Sequence, residues 1–212
     1  MKKLILSLML VVTGSITAQA QIWQQSSQWH DPFDMYAGPT LGCVASNLTV
    51  YDGKTMFGPY VGGFIQTYFN NHFGMSLEFA YNRQGVRDAW QTFSQEHQGG
   101  PYEYRLDYIN TLYKLRYYPV KRFDTYVGLM TGVHINAKCT LDGQDTDIKK
   151  DLHKRSAHII GGVGYELDNL MFEAYYGFPL QKLAKTARGK KALQGAREHV
   201  VMLTVGYRFK LY

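Results

Sequence analysis

Long hydrophobic runs are missing from this sequence, and their absence limits how the chain could enter a membrane. The most apolar stretches, such as residues 158–167, are interrupted and far shorter than the ~20 residues that a helix needs to cross a bilayer. The mean hydropathy is only −0.29. Because only helices and closed barrels satisfy every backbone polar group in lipid, a membrane form of this chain has to be a closed β-barrel.

Cysteine is scarce as well, with only Cys43 and Cys139. No cysteine directly follows the N-terminal apolar segment, which disfavours a lipoprotein anchor. The two cysteines fall on the first and fifth of the strands predicted below, which are not neighbours, so we predict two separate thiols. The alternative is a disulfide, which an oxidising compartment permits. It would require the loop 138–155 to fold over the barrel mouth and bring the Cα atoms within ~7 Å.

Apolar residues recur at every second position along most of eight segments. The predicted strands are 35–46, 56–69, 72–81, 102–119, 123–137, 156–167, 170–179 and 199–211. One set of connections contains the loops 47–55, 82–101, 138–155 and 180–198, and the other contains the turns 70–71, 120–122 and 168–169. Outer-membrane barrels keep short turns on the periplasmic side and longer loops outside. The sequence therefore predicts an all-β fold, an eight-stranded antiparallel up-and-down transmembrane β-barrel.

The N-terminus has the three parts of a secretory signal. Lys2 and Lys3 form a positive region, residues 4–12 an apolar region, and 18–20 a small-residue cleavage site. We predict a signal peptide over 1–20, an N-terminal periplasmic segment over 21–34, and the barrel over 35–212. The ~190 residues left after cleavage are enough for one such domain.

The two faces of the predicted strands differ in chemistry. On the last strand, Leu203 and Val205 lie on one face, whereas Thr204, Gly206 and Arg208 lie on the other. Large apolar residues make a poor wet surface, and glycine with charge makes a poor core. We therefore place lipid outside and the polar face in the lumen. The faces of the first two strands, the first of which contains Pro39, stay unassigned.

Charged residues of both signs fall on the predicted inner face, in the periplasmic half of the lumen. They are three acids and four bases: Glu78, Glu166, Glu173, Lys114, Arg116, Arg208 and Lys210. Buried charges have to be paired, so we predict a salt-bridge cluster that plugs the barrel. Eight strands leave room only for side chains, which argues against an open pore. A proton or ion path through the cluster is the alternative.

Four segments, 106–119, 123–133, 156–183 and 200–209, together carry a family resemblance. They are similar to the outer-membrane β-barrels of Bacteroidota, a family that includes PorT-like proteins, and to small barrels of the OmpA and OmpX type. The resemblance implies an eight-stranded outer-membrane barrel and no shared catalytic motif. The chain departs from that pattern at Asn110-Thr111, where an Ile-Pro pair is common, and at Tyr212, which is one step out of the lipid-facing phase.

Two histidines, His134 and His158, are predicted on the inner faces of adjacent strands near the outer end. They could form half of a metal site, or act as the base of a lipid-modifying hydrolase. Neighbouring polar residues are Asp142, Asp145, Asp147, Asp151 and Ser156. No spacing among them forms a recognised motif, so we expect hydrogen-bonded interior histidines and assign no catalytic residue, metal or cofactor.

The loop 180–198 is strongly basic, with six cations against one acid. The cations are Lys182, Lys185, Arg188, Lys190, Lys191 and Arg197. On the outer surface they could attract lipopolysaccharide phosphates or acidic glycans; a solvated loop without a ligand is the alternative. The expected partners are therefore outer-membrane lipid and lipopolysaccharide, and an envelope protein that contacts the loops or the N-terminal segment. The formal charge of +6 needs no nucleic-acid partner.

These patterns predict a non-enzymatic protein of the Gram-negative outer membrane, exported by its signal peptide, with a charge-plugged lumen. Its expected role at the cell envelope is structural or interactive, which includes a place in a secretion or assembly complex. The alternatives are an outer-membrane lipid-modifying enzyme and a narrow transport or ligand-binding barrel.

Overall fold

A computed structural model describes residues 30–49, 53–89, 102–141, 143–193 and 195–211. The predicted signal peptide, most of the N-terminal segment and the tip of the loop 82–101 lie outside these ranges. The strands are β1 (Met35–Leu48), β2 (Lys54–Tyr68), β3 (Phe73–Ala89), β4 (Tyr102–Val120), β5 (Phe123–Leu141), β6 (Gln144–Asp147), β7 (Arg155–Leu167), β8 (Leu170–Pro179), β9 (Glu198–Tyr207) and β10 (Phe209–Lys210). A short 3₁₀ helix spans Lys149–Asp151, and the helix α1 spans Ala187–Leu193.

Eight long strands form one closed antiparallel sheet. Each pairs with the next in the order β1, β2, β3, β4, β5, β7, β8 and β9, and β1 pairs with β9 to close the ring. The short β10 continues β9 along β1, and β6 adds a hairpin to β5. The predicted eight-stranded antiparallel barrel is confirmed.

The apolar face of the strands points away from the lumen, as the alternation predicts. Phe57, Val61 and Ile65 of β2 and Ile159 and Val163 of β7 are among the many large apolar residues exposed on the outside. On β1, Leu41 and Pro39 also face outward, so the faces of both strands that the sequence left unassigned, β1 and β2, are now established. The proline fits its position, because Gly38 and Pro39 pair with β2 on one side only; on the other side they fall in the gap between the pairings of β1 with β10 and with β9.

The strands β3, β4 and β5 extend well beyond the apolar band on the outer side. β3 continues to Ala89, and β5 continues into a hairpin with β6, so parts of the predicted loops 82–101 and 138–155 are strand. In this region the two faces exchange their chemistry: the apolar Val86, Tyr104 and Leu106 are buried inside, whereas the charged Arg83 and Arg105 point outward. The reversal follows from a change of surroundings, since the outside of these strands meets water instead of lipid.

The outer connections fold over the barrel mouth and form a lid. Leu152 pairs with Ala184 in an isolated bridge, and the Leu183 backbone accepts a hydrogen bond from His153 at 3.0 Å. Buried apolar residues of these connections form one core with residues of β4 and β5, among them Leu152, Leu183, Leu193, Tyr104 and Leu106. The predicted loop 180–198 contains α1 within this lid.

Candidate functional site

Two cations of β4 form the centre of the lumen. The ammonium of Lys114 lies 2.8 Å from Glu78 Oε2 on β3 and 2.8 Å from Glu173 Oε2 on β8. All three side chains are at most 1% exposed. The ammonium also lies 5.2 Å and 4.9 Å from the ring centroids of Tyr126 and Tyr175, at cation–π distance. Lys114 thus ties together strands from two sides of the barrel.

Arg116 stands two residues further along β4, on the same inner face. Its Nη1 donates to Asp124 Oδ1 at 3.0 Å, its Nε donates to Ser76 Oγ at 3.1 Å, and its Nη2 donates to Glu173. The guanidinium and both carboxylates are fully buried. Arg116 and Lys114 share Glu173, so the two cations belong to one network.

A third layer lies nearer the periplasm, around Glu166 of β7. Its carboxylate forms an ion pair with Arg208 at 2.5 Å and accepts hydrogen bonds from Gln66, Tyr68 and Tyr118 at 2.9–3.0 Å. The His30 ring covers this layer from below, stacked on Tyr68 with centroids 3.8 Å apart. The described end of the N-terminal segment therefore lies across the periplasmic opening.

The structure brings six of the seven predicted charges together: Glu78, Lys114, Arg116, Glu166, Glu173 and Arg208. The placement of Lys210 was wrong. It lies two residues beyond Arg208, about 7 Å further toward the periplasm, where it is half exposed and pairs with Asp34 at 3.0 Å. The sequence reasoning also missed Asp124, which gives the network four acids and three bases. The alternation along β5 that places His134 in the lumen also places Asp124 there, so the sequence did contain a pattern that predicts an inward Asp124.

Above the charges, the lumen is filled by apolar side chains. Leu112, Met130, Ile160 and Met202 are fully buried or nearly so and belong to one core cluster. A continuous water path through the barrel would have to pass through this apolar layer as well as through the ion pairs.

A second polar group lies near the outer end. The Tyr108 hydroxyl of β4 donates to the carboxylate of Glu198 on β9, and His158 Nε2 lies 3.0 Å from the Glu198 carbonyl oxygen. His134 packs against Tyr108 with ring centroids 4.1 Å apart. Both histidines are buried inside, as predicted, but the Nδ1 atoms of both lack hydrogen-bond partners among the described residues. The expectation of satisfied histidines is thus only partly met.

A small cavity lies between this group and the outer surface. Its volume of about 10 Å³ is enough for roughly one water molecule. His134, Ser156, His158 and Glu198 form its buried wall. Within the described chain, no hydrogen bond joins Ser156 to either histidine, and no three His, Cys, Asp or Glu side chains converge as metal ligands do.

Of the predicted basic loop, Lys182, Lys185 and Lys190 are exposed and Arg197 is partly exposed. The side chains of Arg188 and Lys191, both on α1, lie outside the described part of the structure. The two cysteines are free, with Cys43 exposed on β1 and Cys139 buried on β5, which agrees with the prediction of separate thiols.

Comparisons with known proteins extend this description. A family model described as "Outer membrane protein beta-barrel domain" matches residues 17–185. The crystal structure of Ail, the attachment invasion locus protein of Yersinia pestis, superposes with a TM-score of 0.51 at 19% identity, covering 83% of this chain and 99% of its own. Neisserial surface protein A gives 0.51 at 13% identity, with 82% and 97% covered. A comparison with curated protein sequences gives no significant match. No helix of the described ranges is long and apolar enough to span a bilayer.

Proposed function

The chain belongs to the family of outer membrane protein β-barrel domains, and from that premise we propose that it is a non-enzymatic, plugged barrel with a structural or interactive role at the cell envelope. The family and the barrel neighbours place it in the Gram-negative outer membrane. What the proposal adds is that the lumen conducts nothing and that the outer surface carries the function.

The observation that carries the proposal is the layered filling of the lumen. An ion that crossed it would have to separate Glu166 from Arg208, pass Arg116 and Lys114, and then displace Leu112 and its apolar neighbours. Removing one partner from a buried ion pair costs about 3–5 kcal/mol. Displacing any one side chain is therefore costly and still leaves the other layers closed.

The parts that remain available for interaction are the lid and the N-terminal segment. The resemblance to PorT-like barrels favours a component of a secretion or assembly complex, with the partner contacting the outer lid or the segment that leads to His30 at the periplasmic mouth. A barrel closed to solutes suits such a role, because it anchors a partner without leaking.

We assign no catalytic role to the outer polar group. A nucleophilic serine needs a base within hydrogen-bond reach, and Ser156 has no such bond to His134 or His158. The hydroxyl of Tyr108 is directed to Glu198 instead. A lipid-modifying reaction is therefore the less favoured alternative, as is narrow transport.

Single-channel conductance in planar bilayers tests the proposal. The protein is refolded in detergent, and its fold is verified by heat-modifiable migration on gels. We expect no steps of conductance from the wild type, and none from folded Lys114→Ala, because the apolar layer and the Glu166–Arg208 layer remain in place. Steady conductance by the wild type would overturn the plug, and opening by Lys114→Ala alone would show that one layer closes the lumen.

A further inference from the structure

Cations and acids are paired along one half of the outer rim. On the side of β2 to β6, the outward-facing cations meet acids on the same or a neighbouring strand. The pairs are Lys54–Asp88 and Arg83–Asp107 at 2.8 Å, and Arg105–Glu103 and Lys138–Asp145 at 2.9 Å. This half of the rim carries little net charge.

The other half of the rim, from β7 to β9, carries cations that form no ion pairs with described acids. We define the basic face as Lys154, Arg155, Lys182, Lys185 and Arg197, none of which forms an ion pair with another described residue. The nearby acids are engaged elsewhere: Glu198 is buried and bound by Tyr108, and Asp151 accepts a hydrogen bond from Thr186 at 2.7 Å. Positive charge is therefore concentrated on this side of the barrel.

Three exposed residues of this region border the same small indentation. His153, Arg155 and Lys182 form the exposed wall of the small cavity described above. Long, exposed arginine and lysine side chains on the border of one indentation can both reach an oxyanion held there, which accepts several charge-assisted hydrogen bonds at once.

The basic face stands directly above the apolar band. Ile159, Phe178 and Leu180 are about half exposed on the outside of β7 and at the end of β8. Arg155 lies four residues above Ile159 on β7, or ~13 Å along the strand, and Lys182 follows Leu180 by two residues just beyond the outer end of β8. A lipid whose acyl chains cover these apolar residues would hold its headgroup at the level of the cations.

We propose that the basic face binds the phosphate groups of a phosphorylated outer-leaflet lipid of the lipopolysaccharide type. The inference rests on the proposed function, since it requires a barrel standing in the outer membrane. Soluble polyanions would feel the same charge, but only a lipid also covers Phe178 and Leu180. The site joins cations near β7 to cations of the loop 180–198, so it is not a property of the loop alone.

Native mass spectrometry in detergent tests the site with three probes: lipid A with both phosphates, dephosphorylated lipid A, and inorganic phosphate. The test variant is Arg155→Gln/Lys182→Gln/Arg197→Gln. The matched control is Lys54→Gln/Arg105→Gln/Lys138→Gln, which removes the same charge from the paired half of the rim. All six side chains are at the surface, and heat-modifiability verifies each fold.

We expect the test variant to lose lipid A affinity at least about tenfold, because one charge-assisted hydrogen bond accounts for roughly that factor. The lipid A affinity of the control variant is expected to stay within about twofold of the wild-type value. Dephosphorylated lipid A is expected to bind the wild type with the same low affinity that lipid A has for the test variant. Equal losses in both variants would overturn the site, as would dephosphorylated lipid A binding the wild type as tightly as lipid A does. Inorganic phosphate that binds the wild type as tightly as lipid A would overturn the lipid as the ligand. Conductance of the same samples reports separately on the plug.

Discussion

The Tyr108 hydroxyl of β4 reaches across the lumen to the carboxylate of Glu198 on β9. These strands lie on opposite sides of the eight-stranded ring. Glu198 meets no cation among the described residues, and its Oε1 atom has no hydrogen-bond partner there. Among the described residues, the Tyr108 hydroxyl is therefore the only hydrogen-bond donor to this buried carboxyl group, and the bond links two opposite walls of the barrel beneath the lid.

Replacing Tyr108 by Phe removes that hydroxyl and leaves a buried carboxyl group without a donor. We expect the free energy of unfolding to fall by about 1–3 kcal/mol, measured by denaturant titration in lipid vesicles. The control is Tyr113→Phe on the same strand, where the ring is half exposed to lipid, and a change within about 0.5 kcal/mol is expected. Equal effects of the two variants would contradict a specific role for the Tyr108 bond.

Lys114→Met tests the centre of the ion network. Glu78 has no other cation partner within the described chain, so the variant leaves it buried and unpaired. We expect a loss of about 3–5 kcal/mol in the free energy of unfolding. Adding Glu78→Gln to the variant removes the unpaired charge and is expected to restore part of the loss. A double variant as unstable as Lys114→Met would mean that packing, not charge, determines the effect.

Two glycines of β7 provide a matched pair for the space around Asp124. A Cβ atom on Gly164 would lie 2.4 Å from Asp124 Oδ2, whereas one on Gly161 would meet nothing closer than 4.0 Å. Gly164→Ala therefore displaces the carboxylate that holds Arg116, with an expected cost of about 1–3 kcal/mol. Gly161→Ala is expected to be neutral or slightly stabilising, since glycine weakens a strand. The comparison uses unfolding in vesicles.

Cys139 reports on the lid, because it lies on β5 beyond Ile135, the last residue of the apolar band on this strand. Burial raises the pKa of its thiol to about 11, and a hydrogen bond with Tyr104 offsets only part of that rise. Reactivity should therefore increase only as the pH approaches 11. In a Cys43→Ser protein at pH 8, we expect alkylation by iodoacetamide to be at least about 100-fold slower than in the unfolded chain. Fast labelling of the folded protein would show an open mouth.

The alternation of residues predicted the barrel, its strand directions and most of its charged lumen. It failed where the surroundings of the strand change. On β3, Val86 lies inside and Arg83 points outward, because lipid no longer covers the outside at this level. An interpretation based on an apolar outer face therefore predicts a loop there. The misplacement of Lys210 has a related cause, since periodicity gives the side of a strand but not the depth at which the lumen ends.

The omission of Asp124 has a different origin. It is the second residue of β5, two residues after the tight turn that precedes this strand, where an acid is ordinarily solvated. Only the three-dimensional arrangement shows that Arg116, eight residues earlier, folds back over it. The pairing of cations around the outer rim is likewise beyond the sequence, because partners such as Arg83 and Asp107 come from different strands.

The distribution of the buried charges along the chain bears on how the barrel assembles. The strands β3 to β5 carry Glu78, Lys114, Arg116 and Asp124, two acids and two bases that neutralise one another within neighbouring hairpins. Glu166, Glu173 and Arg208 arrive with β7 to β9, and Glu173 meets Arg116 across 57 positions of sequence. An inserting sheet can therefore keep its first half electrically neutral, whereas the acids of the second half meet their cations only when the later strands come together: Glu173 across the lumen at Lys114 and Arg116 of β4, and Glu166 at Arg208. Contacts of such long range form late, so sealing the ring and completing its interior are one cooperative event.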